Sequence, residues 1–282
     1  LALQIAKIGR QMGVEIVVPI HEGDADARWP DSADYAAYIP RGEGRWPGLE
    51  RVVEVAADAG CDAIHPGWSW LARSPELAGE LSRTGMGLIG PRMDQLAAMN
   101  DRGSIRDYAE EIGIPVVPGS EALIDEGEAQ TWLAWTGLPA VIKPVTRGAM
   151  DNVVLSDLAQ APAKILAAMN QGPVLLERLV KSAREIEVPF MGDGEGGVVT
   201  LGDRETTCQL GGRRVVVESP APGLDDVTHE EVATYAHLIA SGLEWDGLGA
   251  ARFLVTPDGR AYFLTLRAGL QPWYPATEAV VG

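Results

Sequence analysis

The sequence predicts a mixed α/β protein, with a parallel α/β layer first, a small α+β lobe next and a strand-rich region last. Three observations carry this. Short apolar runs alternate with amphipathic helical patterns in the N-terminal third, as parallel strands joined by crossover helices do. Asp193-Gly194 and Asp258-Gly259 each lie between apolar runs, a strong short-range hairpin signal. The length of 282 residues, 46% hydrophobic and 22% charged, suits one large domain or two lobes around a cleft.

Taken in order, Leu1 to Met12 has apolar residues at helical spacing and Gly13 at the C-cap position. No N-cap precedes it, and Val281-Gly282 follows a pattern of strand, turn and helix start. Both ends are therefore expected to continue into a longer chain. Glu15 to Ile20 reads as a buried strand, Leu49 to Gly60 as an amphipathic helix, and Asp62 to His65 as a short strand. Ser74 to Arg83 is helical, Gly87 to Gly90 a strand, and Met93 to Met99 a helix.

In the second region Ser104 to Ile112, Glu126 to Thr136 and Pro162 to Met169 read as helices. Val116, Ala140 to Lys143, Val153 to Leu155 and Val174 to Glu177 read as strands. The third region carries strands at Ile186 to Met191, Val198 to Leu201, Arg214 to Glu218, Ala250 to Val255 and Ala261 to Leu266. A helix from Thr228 to Ser241 packs on them, and Asp225-Asp226 ahead of it suits the positive end of the helix dipole.

Forty acidic against 23 basic residues give a formal charge of −17, which repels phosphate backbones and argues against nucleic acid as a partner. No apolar run approaches the roughly 20 residues that span a bilayer, so no membrane association is expected. Cys61 and Cys208 are too few for a disulfide framework or a four-thiolate zinc site. The expected compartment is a reducing cytoplasm.

Several stretches then carry a resemblance. They are Asp62-Ala-Ile-His-Pro-Gly67, Leu88-Ile-Gly-Pro91, Ile114-Pro-Val-Val-Pro-Gly-Ser120, Leu138-Pro-Ala-Val-Ile-Lys143 and Leu175-Leu-Glu-Arg178. Further on come Gly192-Asp-Gly194, Val216 to Pro222, Gly249-Ala-Ala-Arg-Phe-Leu254 and Leu270 to Glu278. In this order and spacing the chain resembles the biotin carboxylase family of ATP-grasp enzymes almost end to end. The resemblance implies an N-terminal domain over residues 1–101 and an ATP-grasp region with an antiparallel sheet over 102–282, including a lid near 144–176. The family's C-terminal domain would lie beyond Gly282.

The family uses MgATP to activate bicarbonate and carboxylate biotin, a phosphoryl chemistry that depends on positioning, metal-binding carboxylates and cations facing the phosphates. The resemblance places Arg102 and Lys143 at phosphate-facing positions, Glu177 and Leu254 at the adenine site, and Gln209 on the ribose and phosphate side. It places Arg252, Thr265 and Arg267 where the family has magnesium ligands. Hard dications take oxygen donors, and arginine stays protonated there. Gly269 stands for the enolate-stabilising arginine, Trp273 for the base, Tyr274 for the adjacent histidine and Arg214 for a lysine facing bicarbonate. Glu185 replaces a histidine, and Leu210-Gly211-Gly212 an Arg-Arg-His run. Pro144 to Met150 holds one glycine where a phosphate-cradling loop has several.

The expectation drawn from these replacements is a non-catalytic member of a biotin-dependent carboxylase complex, with no catalytic residues. It would need no cofactor, with ATP admitted, magnesium disfavoured and no covalent biotin in this chain. Expected partners are an active biotin carboxylase, a biotin carrier or carboxyltransferase component, or a second copy. Trp68, Trp70, Trp273 and Tyr274 are candidates for such contacts or for filling the cleft. One alternative is an ATP-grasp ligase, or a residual biotin carboxylase, that activates a carboxylate with ATP. The other is a metal-independent sensor of a nucleotide or anionic metabolite, with Arg102, Arg147, Arg214, Arg252 and Arg267 converging on the phosphate position or pairing with nearby acids.

Overall fold

The computed structural model describes residues 1–24, 30–40, 48–67, 70–123, 125–146, 152–211 and 213–282. The chain forms two compact units, one of residues 1–96 with 268–272, the other of 97–267 with 273–282.

In the first unit α1 (Ala2–Gln11) leads to β1 (Val17–Ile20), which pairs in parallel with β2 (Tyr35–Tyr38). After α2 (Leu49–Asp58), β3 (Ala63–Ile64) is joined through α3 (Pro75–Thr84) to its parallel partner β4 (Gly87–Leu88). The parallel pairing follows the reading of the sequence, but the described strands form two separate two-stranded sheets. Tyr35-Ala-Ala-Tyr38 is not legible as a strand in the sequence, because it is too short and too exposed to show an apolar run.

The limits of α3 follow from local chemistry. Ser74 accepts from the Leu77 N–H at 3.1 Å, Pro75 opens the first turn, and Gly85 closes the helix in the left-handed region at φ +78°. Its buried Leu77 and Leu81 pack with Val53 of α2 and Met86, which fixes the core of this unit.

The second unit receives the end of α4 (Met93–Asn100) and continues into α5 (Arg102–Glu111). Asp101 caps α5 by accepting from the Gly103 and Ser104 N–H groups, which sets Arg102 at its first position. Then follow α6 (Glu126–Thr136), β5 (Ala140–Pro144), β6 (Val153–Leu155), α7 (Ala161–Met169) and β7 (Val174–Arg178). The three strands lie antiparallel in the order β6-β5-β7, and α6 and α7 cover them through Leu133, Ile165, Ile142, Leu155 and Leu176.

The larger sheet has the order β10-β8-β13-β14, with β9 also on β8. Its long members are β8 (Arg184–Asp193), β13 (Asp246–Val255) and β14 (Ala261–Ala268). The shorter β9 (Val198–Thr200) and β10 (Arg204–Glu205) pair antiparallel with β8. A separate hairpin joins β11 (Gln209–Leu210) and β12 (Arg213–Arg214). The helix α8 (Asp226–Gly242) packs on this sheet, and α9 (Tyr274–Val281) ends the chain.

The strand expected over Arg214 to Glu218 is corrected. Only Arg213 and Arg214 pair as a strand there; Val215 and Val216 are exposed, and Glu218 bridges to Glu205 instead. Two valines in a row suggest a strand, but the Val215 and Val216 N–H groups share the one Cys208 carbonyl, at 2.9 and 3.4 Å, and the regular ladder ends there.

Gly192 shows how tightly β8 is fitted. A Cβ there would lie 2.0 Å from the carbonyl oxygen of Trp245, whose fully buried ring meets Phe190 edge-on at 5.7 Å. Backbone cannot swing aside as a side chain can. Gly192→Ala is therefore expected to destabilise the protein by about 3 kcal/mol, the upper end of the usual overpacking cost. Urea unfolding tests this; an unchanged midpoint would show that the Trp245 carbonyl can move.

Candidate functional site

The site grows out of the period-2 alternation of β8. Ile186, Val188 and Phe190 are fully buried on one face, which leaves Glu185 and Glu187 together on the other. Register brings cations to both sides of Glu187, with Arg204 of β10 opposite it on one edge and Arg252 of β13 on the other.

Glu187 is fully buried and accepts through Oε1 from Arg204 Nε at 2.9 Å and from Trp273 Nε1 at 3.0 Å. A second Arg204 nitrogen also meets Oε1. Its Oε2 accepts from Arg214 Nη2 at 3.3 Å and lies 3.6 Å from Arg267 Nε. Glu185 accepts from Thr206 Oγ1 at 2.7 Å, Arg214 Nη2 at 2.8 Å and Arg252 Nε at 3.1 Å, and forms an ion pair with Arg252 through its other oxygen. Arg204 also donates to Thr277 Oγ1 at 3.0 Å, with the Tyr274 ring 5.0 Å away. The Trp273 ring centroid lies 4.7 Å from the Arg214 guanidinium carbon.

Four guanidinium groups thus face two carboxylates among the described residues. Burial would raise both glutamates, but Arg252 and Arg214 around Glu185, and Arg204 and Arg214 around Glu187, hold them below the usual range. Arg267 shows the excess of positive charge. Burial together with Arg252 and Arg214 pushes it down to about 9, so that it is still protonated at neutral pH. The Nε groups of Arg214 and Arg267 are buried without hydrogen-bond partners among the described residues.

The depressed glutamates give a signed pH dependence. A carboxylate lowered in the folded state contributes stability that is fully present above its unfolded pKa, about 4.3, and is lost as pH falls through the folded value. Stability is expected to drop below about pH 4. Glu185→Gln should make that drop shallower by up to about 1.4 kcal/mol per pH unit. Equal slopes in urea titrations of the two proteins would remove Glu185 as a contributor.

A second pair lies in the same unit. Lys143 of β5 and Glu177 of β7 are buried and ion-paired across the two adjacent strands. Arg102 donates to Asn152 Oδ1 at 2.9 Å. Burial lowers Lys143 and Arg102, and Arg252 acts electrostatically on both, so this pair and the arginine cluster form one positive basin.

Arg102, Lys143, Glu177, Arg214, Arg252, Arg267 and Trp273 of the predicted set therefore come together electrostatically or by contact. Gln209 is exposed and donates to the Thr206 carbonyl at 2.8 Å, and Leu254 is half-buried opposite Glu185 in the register. Thr265 is buried with its hydroxyl turned to the Leu266 carbonyl. Gly269 belongs to the first unit, in a left-handed turn with φ +69° beside Ala72. The contact role considered for Tyr274 is corrected, since its ring is buried on Arg204; Trp273 is engaged by Glu187. Trp70 is exposed. Arg147, Trp68, Gly212 and residues 147–150 of the lid loop lie outside the described residues. Glu187 and Arg204 were missed. The available signal was a second glutamate two residues after Glu185 in an otherwise apolar strand.

Antiparallel strands under helices, carrying a buried Lys–Glu pair beside an arginine-rich basin, define an ATP-grasp type of α/β protein. Residues 101–282 match the family described as carbamoyl-phosphate synthase L chain, ATP binding domain, and residues 1–96 match biotin carboxylase, N-terminal domain. The chain belongs to the biotin carboxylase family.

Its whole length aligns with the biotin carboxylase of Pseudomonas aeruginosa at 30% identity and 65% of that protein's length. It also aligns throughout with a pyruvate carboxylase subunit of Methanothermobacter thermautotrophicus, at 28% identity and 60% of its length. Among solved structures, the Campylobacter jejuni biotin carboxylase–β,γ-ATP complex superposes with a TM-score of 0.94 at 25% identity, covering 99% of this chain and 65% of that one. The biotin carboxylase domain of Hydrogenobacter thermophilus 2-oxoglutarate carboxylase, in complex with MgADP, ADP and bicarbonate, gives 0.90 at 25% identity, covering 99% and 64%. The chain spans about 60–65% of the length of these relatives.

These comparisons correct two expectations. The reading as a non-catalytic component is overturned, because the relatives matched along the entire chain are named biotin carboxylases and a pyruvate carboxylase subunit. The reading that no cofactor is needed and magnesium is disfavoured is overturned by the relative that holds MgADP. In this chain the hard oxygen donors that face the arginine cluster are the Glu185 and Glu187 carboxylates, both engaged by arginine, while Glu177 is paired with Lys143. Of the two, Glu185 is the residue that would hold a metal ion arriving with nucleotide, since Glu187 is fully buried and tied to Arg204, Arg214 and Trp273.

Proposed function

We propose that this chain forms the nucleotide-binding part of an ATP-dependent biotin carboxylase. The observation that supports this most directly is the charge of the basin. Arg102, Lys143, Arg204, Arg214, Arg252 and Arg267 face Glu177, Glu185 and Glu187, a net positive well inside a chain of formal charge −17. Such a well favours a polyanion, and guanidinium matches phosphate oxygens in pairs.

Lys143 and Arg102 would bind and orient the phosphates, and Arg214, Arg252 and Arg267 would neutralise charge that develops on transfer. A divalent metal bound with the nucleotide would supply further charge neutralisation at the phosphate oxygens. In the whole protein the acid activated is bicarbonate and the acceptor is biotin on a carrier domain or subunit, with a carboxyltransferase as the next component. Assembly as a dimer and a cytoplasmic location belong to the same proposal. Among the described residues, no helix is long and apolar enough to cross a membrane.

The test is ADP release by the full-length protein with MgATP, free biotin and bicarbonate, beside calorimetric titration of MgATP. Binding with bicarbonate-dependent release is expected. Absence of nucleotide binding would overturn the proposal.

One observation favours a second reading, an ATP-grasp ligase that takes another carboxylate. Trp273 has no ionisable group, and Glu187, to which it donates, is held ionised by four arginines. A carboxylate so stabilised is a weak base, and this suits a substrate that arrives already deprotonated. ADP release driven by an organic carboxylate, and not by bicarbonate, would select this reading.

A further inference from the structure

We infer that Glu185 is an internal counter-anion, which occupies Arg214 and Arg252 so that an incoming anion must displace it and only multiply charged anions do so efficiently. This deepens the reading of the basin as a phosphate site and rests on it.

The geometry carries the inference. Glu185 sits where an oxyanion would bind, with one oxygen taking Arg214 at 2.8 Å and Arg252 Nε at 3.1 Å and the other paired to Arg252. It is placed by the Thr206 hydroxyl at 2.7 Å, itself a fully buried residue. Glu187 is different. It is fully buried and tied to Arg204, Trp273 and Arg214, so it is structural and stays. Arg267 is the most exposed arginine of the group, with 27% of its side chain accessible, and its buried Nε has no hydrogen-bond partner among the described residues.

An anion entering here finds Arg267 first and gains Arg214 and Arg252 only by exchange with Glu185. A singly or doubly charged anion replaces one carboxylate at little net gain. A longer polyphosphate keeps contact with Arg267 while it takes over the Glu185 partners. The carboxylate thus sets a charge threshold, and its release on exchange frees two oxygens for a counter-cation.

The experiment titrates orthophosphate, pyrophosphate and tripolyphosphate into the full-length protein and into Glu185→Gln, by calorimetry at fixed ionic strength. The wild type is expected to prefer tripolyphosphate strongly. Glu185→Gln should tighten orthophosphate on the order of ten-fold, the size of one charge-assisted hydrogen bond, and tripolyphosphate less, so the preference collapses. Thr206→Val keeps the charge and loosens its placement; it should move the same ratio by a smaller factor. A variant that merely loses structure would weaken all three anions alike. An unchanged ratio in both variants, or weaker orthophosphate binding in Glu185→Gln, would overturn the inference. Because no adenosine is used, a failure here with MgATP binding intact rejects the gate and leaves the nucleotide reading standing.

Discussion

Glu187→Ala is expected to cost the second unit about 3–5 kcal/mol, seen as a lower urea midpoint or a Tm lower by about 10 °C. The reason is what it leaves behind. Arg204 has no accessible surface and, among the described residues, its guanidinium keeps the Thr277 hydroxyl and the neighbouring aromatic rings, while Trp273 Nε1 and Arg214 lose an acceptor. A buried cation that cannot deprotonate has no escape. Arg204→Met alone should also destabilise, by leaving Glu187 with fewer donors. The double variant Glu187→Leu, Arg204→Met should lose less than the two single changes together, because burying the pair already carried a desolvation cost. A Glu187→Ala loss below about 1 kcal/mol would show that water or Glu185 takes over as counter-charge.

Lys143→Met should weaken MgATP binding about 100-fold, or near 2.7 kcal/mol. Two effects add. The ammonium that would face phosphate is removed, and Glu177 is left buried without its partner, which puts an unmatched negative charge beside the phosphate position. Stability should fall as well. Adding Glu177→Gln to Lys143→Met separates these effects, since it removes the stranded charge. Stability should then recover while nucleotide affinity recovers only in part. Full recovery of affinity would mean that Lys143 serves only to neutralise Glu177, and that the phosphates are held elsewhere in the basin.

Much of the fold was legible in local chemistry. The helix over Glu126–Thr136 and the strand over Val153–Leu155 lie where the residue pattern put them, because caps and apolar periodicity act over a few residues. The turn at Asp193-Gly194 joins β8 and β9 in an antiparallel pair, as its residues demand. Where partners are distant the reading failed. Tyr35-Ala-Ala-Tyr38 becomes a strand only because β1 offers it a parallel edge, and Val215-Val216 does not extend β12 because both N–H groups fall on the one Cys208 carbonyl.

The same division holds at the site. Taken alone, the sequence determined the family, the order of the elements, the acidic balance and the presence of arginines where the resemblance expects other side chains. It left open whether those arginines meet a ligand or acids of the chain itself. The tertiary structure decided that in favour of Glu185 and Glu187. Arg204 meets Glu187 across the register on one side, Arg252 stands opposite Glu187 on the other and pairs with Glu185, Arg214 comes from a separate hairpin, and Trp273 from a segment 86 residues further along. Charges interact through distance in space, and strand register sets that distance; spacing along the chain does not.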